Sequence, residues 1–333
     1  WAGELTGTIP VAGLDLAPLL AVTVAREAAR WLPNMDASIE RIERFLRRLR
    51  PRAILLADEY HRQDWMVAAG RAGIPVAAVQ HGMIYAHHNG YIHDDRPPTL
   101  RLPDRTYVFG RWERDLLVER SVYRPEEVVV GGSPRIDMVG RHVGDSAQVR
   151  RELGVREDER LVVVSGTWGS IYRHVHYPIA LAGIVDRELP DVHIVVKLHP
   201  GEPDDGPYRA IVESAAAARG IPAPPVTVVR DVDLYRVLAA ADAHLGIHST
   251  VLTEAVVTRT PNLLSARLAA ADLLGYVDAG VAVPVRDGGD VLRALDAGRG
   301  ILDEADAAAF TSAHFEPGAA ADRIAADLLA WLG

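Results

Sequence analysis

The sequence predicts an α/β protein of two Rossmann-like parallel-sheet domains facing a central cleft. Three observations predict it. Runs rich in Val and Ile, such as RAILLAD (52–58) and LVVVSG (161–166), are apolar without a break, as strands buried on both faces are. Segments of helical period separate these runs, and that alternation implies parallel sheets. The alternation then starts afresh beyond a polar stretch, GRHVGDSAQVRRELGVREDER (140–160), which marks a seam.

In the first half the strands are 52–58, PVAAVQH (75–81), TYVFG (106–110) and EVVVGG (127–132). Between them DASIERIERFLRRLR (36–50) sets Ile39, Ile42, Phe45, Leu46 and Leu49 on one helical face and arginines on the other. RQDWMVAAGRAG (62–73) forms a second helix that stops at a glycine. In the second half the strands are 161–166, HIVVKLH (193–199), VTVVRD (226–231) and AHLGIH (243–248), with helices over 177–189, 207–219, 233–242 and 250–259. EPGAAADRIAADLLAWLG (316–333) reads as a last helix. The expected division is 1–148, 149–315, and a helix at 316–333 that crosses back to the first domain.

The totals narrow the function. A chain of 333 residues is long enough for two cores, and 49% apolar with 24% charged residues is a globular composition. A net charge of −9 argues against a nucleic-acid partner. Without cysteine there are no disulfides and no thiolate metal sites. No apolar run has the length of a membrane span and no signal peptide is visible, while the start at Trp1 reads as a piece of a larger polypeptide. The patterns GxxxxGK[ST], GxGxxG and GxSxG are all missing, which disfavours a P-loop kinase, a nicotinamide dehydrogenase and an α/β-hydrolase.

Ligands of open parallel sheets bind beyond the carboxyl ends of the strands, and here those ends are polar. Asp58-Glu59, Gln80-His81-Gly82 and Ser133-Pro134-Arg135 close strands of the first half. Gly166-Thr167-Trp168, Lys197-Leu198-His199-Pro200 and His248-Ser249-Thr250 close strands of the second. Ser249 is a good helix N-cap, with Glu254 in the second turn; a plain cap is the simpler reading. The same geometry makes an anion site from free N–H groups, the helix dipole and two hydroxyls. Lys197 is the only lysine beside 35 arginines, and strand alternation puts it on the same side as His199. A snorkelling lysine and a buried histidine are the plain alternative; a point charge and a hydrogen-bond donor for a phosphate are the functional one. His81 suits a general base for a hydroxyl, with Asp58 and Glu59 as rival carboxylates. HHNGYIHDD (87–95) matches no metal spacing and reads as a mobile polar loop at the cleft mouth.

The order of these pieces resembles glycosyltransferases of the GT-B fold. It is most similar to the bacterial group of CDP-glycerol glycerophosphotransferases, sialyltransferases and capsule polysaccharide transferases. QHG (80–82), GGSPRID (131–137), VVVSGTW (162–168), KLHP (197–200) and Ser249-Thr250 carry the resemblance, over roughly residues 50–262. The sequence departs from the group where Tyr60 replaces a glycine, Gln80 a tryptophan, and Ile247-His248 an aspartate-tyrosine pair. Asn262 stands where retaining enzymes carry a second glutamate eight residues after the first, here Glu254, so inversion is expected.

The resemblance implies an inverting, metal-independent bacterial transferase with an acceptor-side first domain and a donor-binding second domain. It would move a sugar or polyol-phosphate unit from a nucleotide-activated donor of CMP/CDP or UDP type to a hydroxyl of a glycan or lipid-linked acceptor, without a further cofactor. His81 takes the acceptor-side role, and Asp58 or Glu59 is its rival. Lys197, His199, Ser249, Thr250, Thr167, Arg135, Glu254 and His248 face the donor. The implied setting is polysaccharide or glycoconjugate synthesis in the cytoplasm, with peripheral attachment to the inner face of the membrane. Two rivals remain. One is a UDP-N-acetylglucosamine 2-epimerase-like enzyme, whose Ser-Gly-Gly turn and adjacent glutamates are replaced here by HSTVLTEA. The other is a non-catalytic GT-B module that binds nucleotide or glycan.

Overall fold

A computed structural model describes residues 10–11, 14–15, 17–57, 59–97, 100–139, 144–166, 178, 181, 183, 185, 191–202, 204–224, 226–247, 249–266, 272–297 and 302–333. A short antiparallel pair, β1 (Pro10–Val11) and β2 (Leu14–Asp15), precedes a long helix α1 (Ala17–Leu49). The first sheet then runs β3 (Ile54–Leu56), β4 (Val76–Val79), β5 (Arg105–Val108) and β6 (Val128–Val130). All its pairs are parallel, and its strands lie side by side in chain order. Helices α2 (Gln63–Ala72) and α3 (Arg111–Arg120) connect them.

The helix expected from Asp36 is in fact carried back to Ala17, through Pro33. Its buried stripe is also narrower than the sequence suggests. Ile39, Ile42 and Leu46 pack on Met66, Ala68 and Ala69 of α2, whereas Phe45 and Leu49 are exposed. The cause is that α2 covers one stripe of α1; Phe45 meets only the edge of Trp65, at 6.3 Å between ring centroids.

The second sheet has six parallel strands among the described residues: β7 (Arg160–Ser165), β8 (Val192–Lys197), β9 (Thr227–Val229), β10 (Ala243–Gly246), β11 (Asn262–Ser265) and β12 (Ala282–Val285). They lie in the order β12-β11-β10-β7-β8-β9. Leu161 to Val164 and Ile194 to Val196 are buried, as the unbroken apolar runs require. Helices α4 (Ser146–Glu152), α5 (Gly206–Arg219), α6 (Leu234–Ala240), α7 (Thr250–Val257) and α8 (Gly288–Ala297) cover it, with Val149 of α4 in the same cluster as Leu161 and Val163. The helix expected at 177–189 lies mostly outside the described residues.

Two further helices tie the halves together. The end of α9 (Glu304–His314) meets the start of α3 so closely that a Cβ on Gly110 would collide with the His314 backbone. Then α10 (Ala320–Leu332) lies on the first sheet, where Ile324 packs on Ala77 and Tyr107. Asp327 takes a bidentate ion pair from Arg105 and a 2.8 Å hydrogen bond from the Tyr107 hydroxyl. Among the described residues no helix is long and apolar enough to cross a membrane.

Candidate functional site

Counted in chain order within its own half, the second sheet reads 6-5-4-1-2-3, so strand order reverses between β7 and β10. That reversal opens a crevice beyond the carboxyl ends, the usual place for a ligand of such a sheet. The crevice here is a cleft of about 420 Å³ lined by Ser165 and Gly166 after β7, by the tip of β8 from Lys197 to Pro200, and by Ser249 and Thr250 after β10. Arg135 reaches it from the first half.

The β8 tip is locked in place. Glu202 is 1% exposed; its Oε2 accepts the His199 N–H at 2.7 Å and its Oε1 accepts the Tyr208 hydroxyl. Gly166 donates its N–H to the Lys197 carbonyl at 2.7 Å, and a Cβ on Gly166 would collide with the Glu202 carboxylate. The glycine is therefore required by the close approach of the tip. Gly201 donates its N–H to His199 Nδ1 at 3.0 Å, which leaves the proton on Nε2. His199 is thereby held as a donor. Lys197 is half-buried, with Nζ 2.9 Å from the Leu198 carbonyl. Burial, and then Arg230, hold its ammonium below the usual lysine range. An anion in the cleft would relieve that repulsion.

Ser249 is the N-cap of α7, its hydroxyl accepting the Val251 N–H at 3.2 Å, and Thr250 is the first helical residue. The cap expected from sequence is present, at the rim of the cleft. Behind it runs a buried chain that the sequence did not announce. Asn262 donates to the Leu252 carbonyl at 2.8 Å, which turns its Oδ1 to His244 Nδ1, also at 2.8 Å. His244 Nε2 must then accept the Ser165 hydroxyl, 2.9 Å away. Complete burial pushes the His244 pKa down to about 4, in keeping with a neutral ring. The chain ties α7 to β7, β10 and β11.

A second, much smaller cavity of about 40 Å³ joins the first through Arg135 and Thr250, which line both. His81 faces it, with Gly82 and Met83 after β4. Gln80 is buried and pins this tip: its Oε1 accepts the Phe109 N–H and its Nε2 donates to the Gly82 carbonyl, both at 2.8 Å. The His81 ring stacks on Tyr60 at 5.7 Å. Across the cavity Arg135 donates to the Tyr235 hydroxyl at 2.7 Å and lies 3.2 Å from Glu254 Oε1. Burial pushes the Glu254 carboxyl above its ordinary range, with Arg135 opposing. Glu113 is also buried there, bonded through Oε1 to His314 Nδ1 at 2.8 Å.

The structure thus brings His81, Arg135, Glu254, Thr250, Ser249, Lys197 and His199 around two joined cavities. It does not bring Glu59 there. Glu59 is 2% exposed, beside the Tyr91 and Tyr123 hydroxyls, and lines a separate cavity with His61, His88 and His93. Asp58, Thr167 and His248 lie outside the described residues. The 87–95 loop is tied down: Tyr91 is buried, and Ser121 bonds both the Tyr91 carbonyl and the His93 N–H. Among the described residues no three His, Asp or Glu side chains are placed to hold a metal ion. Sequence reasoning missed Glu202, His244 and Glu113. Of these, Glu202 alone had a local signal, since it follows directly on KLHPG.

No family model matches the chain, and no curated protein matches it in sequence. Solved structures do match. MnaA of S. aureus, in a co-structure with UDP, superposes with a TM-score of 0.62 at 17% identity, over 90% of this chain and 79% of that one. The UDP-GlcNAc 2-epimerase of Neisseria meningitidis bound to UDP-GlcNAc gives 0.60 at 14% identity, over 89% and 81%. The wall teichoic acid polymerase TagF gives 0.51 at 14%, over 78% and 68%. At such identities the likeness is one of fold, and the fold is GT-B: two parallel-sheet α/β domains across a cleft.

Proposed function

We propose that the chain is a nucleotide-sugar-dependent transferase, inverting and metal-independent, that moves a sugar or polyol-phosphate unit to a hydroxyl acceptor in surface polysaccharide or glycoconjugate synthesis. One observation carries this reading: Lys197, the Nε2–H of His199 and the N-terminus of α7 converge on the switch-point cleft of the second sheet. A fixed set of donors aimed at one place suits a diphosphate whose charge grows as its bond to the transferred unit breaks. The co-structures of MnaA with UDP and of the Neisseria epimerase with UDP-GlcNAc are in keeping with such a ligand.

In the proposed reaction of a sugar donor the acceptor hydroxyl gives its proton to His81 as its oxygen attacks the anomeric carbon. The bond from that carbon to the diphosphate oxygen breaks on the opposite face. The electron pair leaves with the nucleotide, where Lys197, His199 and α7 meet it. Arg135 lines both cavities and adds a cation at their junction.

A second reading, epimerisation of the nucleotide-sugar, has its own support. Inverting a C–H centre needs a base and an acid on opposite faces, and two buried carboxylates, Glu113 and Glu254, line the His81 cavity. Incubation with UDP- and CDP-activated sugars in D₂O, with and without a glycan acceptor, separates the two. Nucleotide release that depends on acceptor supports transfer. Deuterium entering the sugar with no acceptor present would replace that reading with epimerisation.

A further inference from the structure

α1 has 33 residues, whereas α2, the helix that covers it, has 10. The C-terminal part of α1 packs on α2, but residues 29–37 are exposed on every side. A helix alone in water is marginal, because most helical stability comes from packing an apolar face. This part of α1 has such a face and nothing on it: Val24, Trp31 and Met35 are exposed, and Phe45 and Leu49 continue the line to the end of the helix. The line has a period. Steps of three and four residues alternate without a break from Ala21 to Leu49, four heptads, and every position so reached is apolar except Ser38. That spacing is the seam of a helix pair, narrower than the stripe of a helix lying on a globular core. Pro33 stands on the side opposite the seam.

The seam also has a hole. Ser38, Arg41, Ile42 and Phe45 line a groove of about 500 Å³, with Arg62 and Trp65 at the start of α2. Four helix residues spaced i, i+3, i+4 and i+7 form the hole into which a facing helix puts one side chain. The matching knob is Trp31, 59% exposed on the same seam. Its indole N–H donates to Glu27 at 3.2 Å, so the ring can be buried with its polar atom satisfied. An antiparallel pairing of two copies, centred between Asp36 and Ala37, sets Trp31 opposite Ile42 and hence at that groove. The same register sets Val24 opposite Leu49, and small opposite large at Ala28 with Phe45 and Ser38 with Met35. Glu27 and Arg48, which flank the seam on one side, also come opposite each other, at both ends of the pair. A parallel pairing in register sets each residue on its own copy, Trp31 on Trp31 and Ala28 on Ala28, and offers no such match.

We propose that α1 is a dimerisation element: two copies of the chain pair antiparallel along residues 21–49, and each puts Trp31 into the α1–α2 groove of the other. The pairing is two-fold, so one contact fills both grooves and answers both charges at once. The projecting part of each α1 is then covered by the supported part of its partner. The proposal is independent of the nucleotide-sugar reading above.

The test is sedimentation velocity of the full chain at micromolar concentration, followed by cross-linking. The wild type should be a dimer, and Trp31→Glu should weaken it by about 30-fold or more. Glu27→Arg and Arg48→Glu should each weaken it, and the two together should restore it. The chain has no cysteine, so introduced thiols report the register directly. Val24→Cys with Leu49→Cys in one chain should give a disulfide-linked dimer on mild oxidation, and neither alone should. Within one copy the two positions are about 38 Å apart along the helix, far beyond the reach of a disulfide. A monomeric wild type overturns the proposal, as does a dimer indifferent to Trp31→Glu, a charge swap no better than its single variants, or cross-linking by either cysteine alone. A monomer that co-sediments with phosphatidylglycerol vesicles, and stops doing so in Trp31→Glu, overturns it in favour of a lipid surface on the same face. The cysteine pair leaves Trp31 in place, so a misfolded Trp31→Glu leaves it decisive.

Discussion

The first sheet runs its strands in chain order, β3-β4-β5-β6, whereas the second reverses between β7 and β10, and the two sides of the cleft differ accordingly. The reversal separates neighbouring loops, so the β8 tip and the N-terminus of α7 stand open around a crevice. The cations and N–H groups that suit a phosphate are there. The first sheet contributes His81, pinned through Gln80, to a smaller and more apolar cavity shared with the second half. In the reaction proposed above, sheet order would separate the tasks: charge held on one side and proton transfer offered from the other.

The sharpest way to break that comparison is to remove one group from each side. His81→Ala is expected to lower turnover by about 100- to 10,000-fold with nucleotide affinity nearly unchanged. Lys197→Ala is expected to cost about 100- to 1,000-fold in turnover and to weaken nucleotide binding as well; Lys197→Arg should recover part of that loss, because a guanidinium keeps the charge but not the compact shape. Steady-state kinetics beside nucleotide titration read both. If His81→Ala weakened the nucleotide as much as Lys197→Ala does, the two sides would not have separate tasks.

The next effect sharpens the comparison through stability. His244 lies wholly inside the second sheet, and its folded pKa of about 4 is below its ordinary 6.5. The fold holds the neutral ring, so its stabilisation is complete above about pH 6.5 and drains away as pH falls towards 4. At about 1.4 kcal/mol per unit, the loss is on the order of 3 kcal/mol. Thermal melting from pH 7 to pH 4 should therefore show a steep acid loss that is shallower in His244→Gln. Equal slopes in the two proteins would remove His244 as the cause. The smallest effect is at the rim. Ser249→Ala deletes one cap and should cost about 1 kcal/mol, read as a small fall in melting temperature. A much larger fall would mean that Ser249 holds more than the start of α7.

Much of this was legible in the sequence because the signals are local. Unbroken runs such as LVVVS give buried parallel strands, and KLHP and HST mark strand ends by their change to polar residues. Strand order is not local, so the reversal that opens the crevice could not be read from any one segment. β11 and β12 were missed because NLLS is short and AVPV carries Pro284, which weakens a strand signal. Glu113 and His314 are 201 residues apart, and neither has a motif to point at the other. Phe45 and Leu49 show the opposite error, since helical period predicted burial that only a second covering element could provide.

The docking of α10 has a consequence for how the chain is made. Ala77 and Tyr107 belong to the first sheet, yet Ile324, which covers them, is translated long after those strands have left the ribosome. At about 5–20 residues per second, the stretch from Val130 to Ala320 takes roughly 10 to 40 s. Through that interval the nascent first half presents an uncapped apolar face, and Arg105 waits for its carboxylate partner. The second half can complete its own sheet before the first is finished. Synthesis order and maturation order are therefore inverted, and the window before α10 arrives is when a chaperone would find the most to hold.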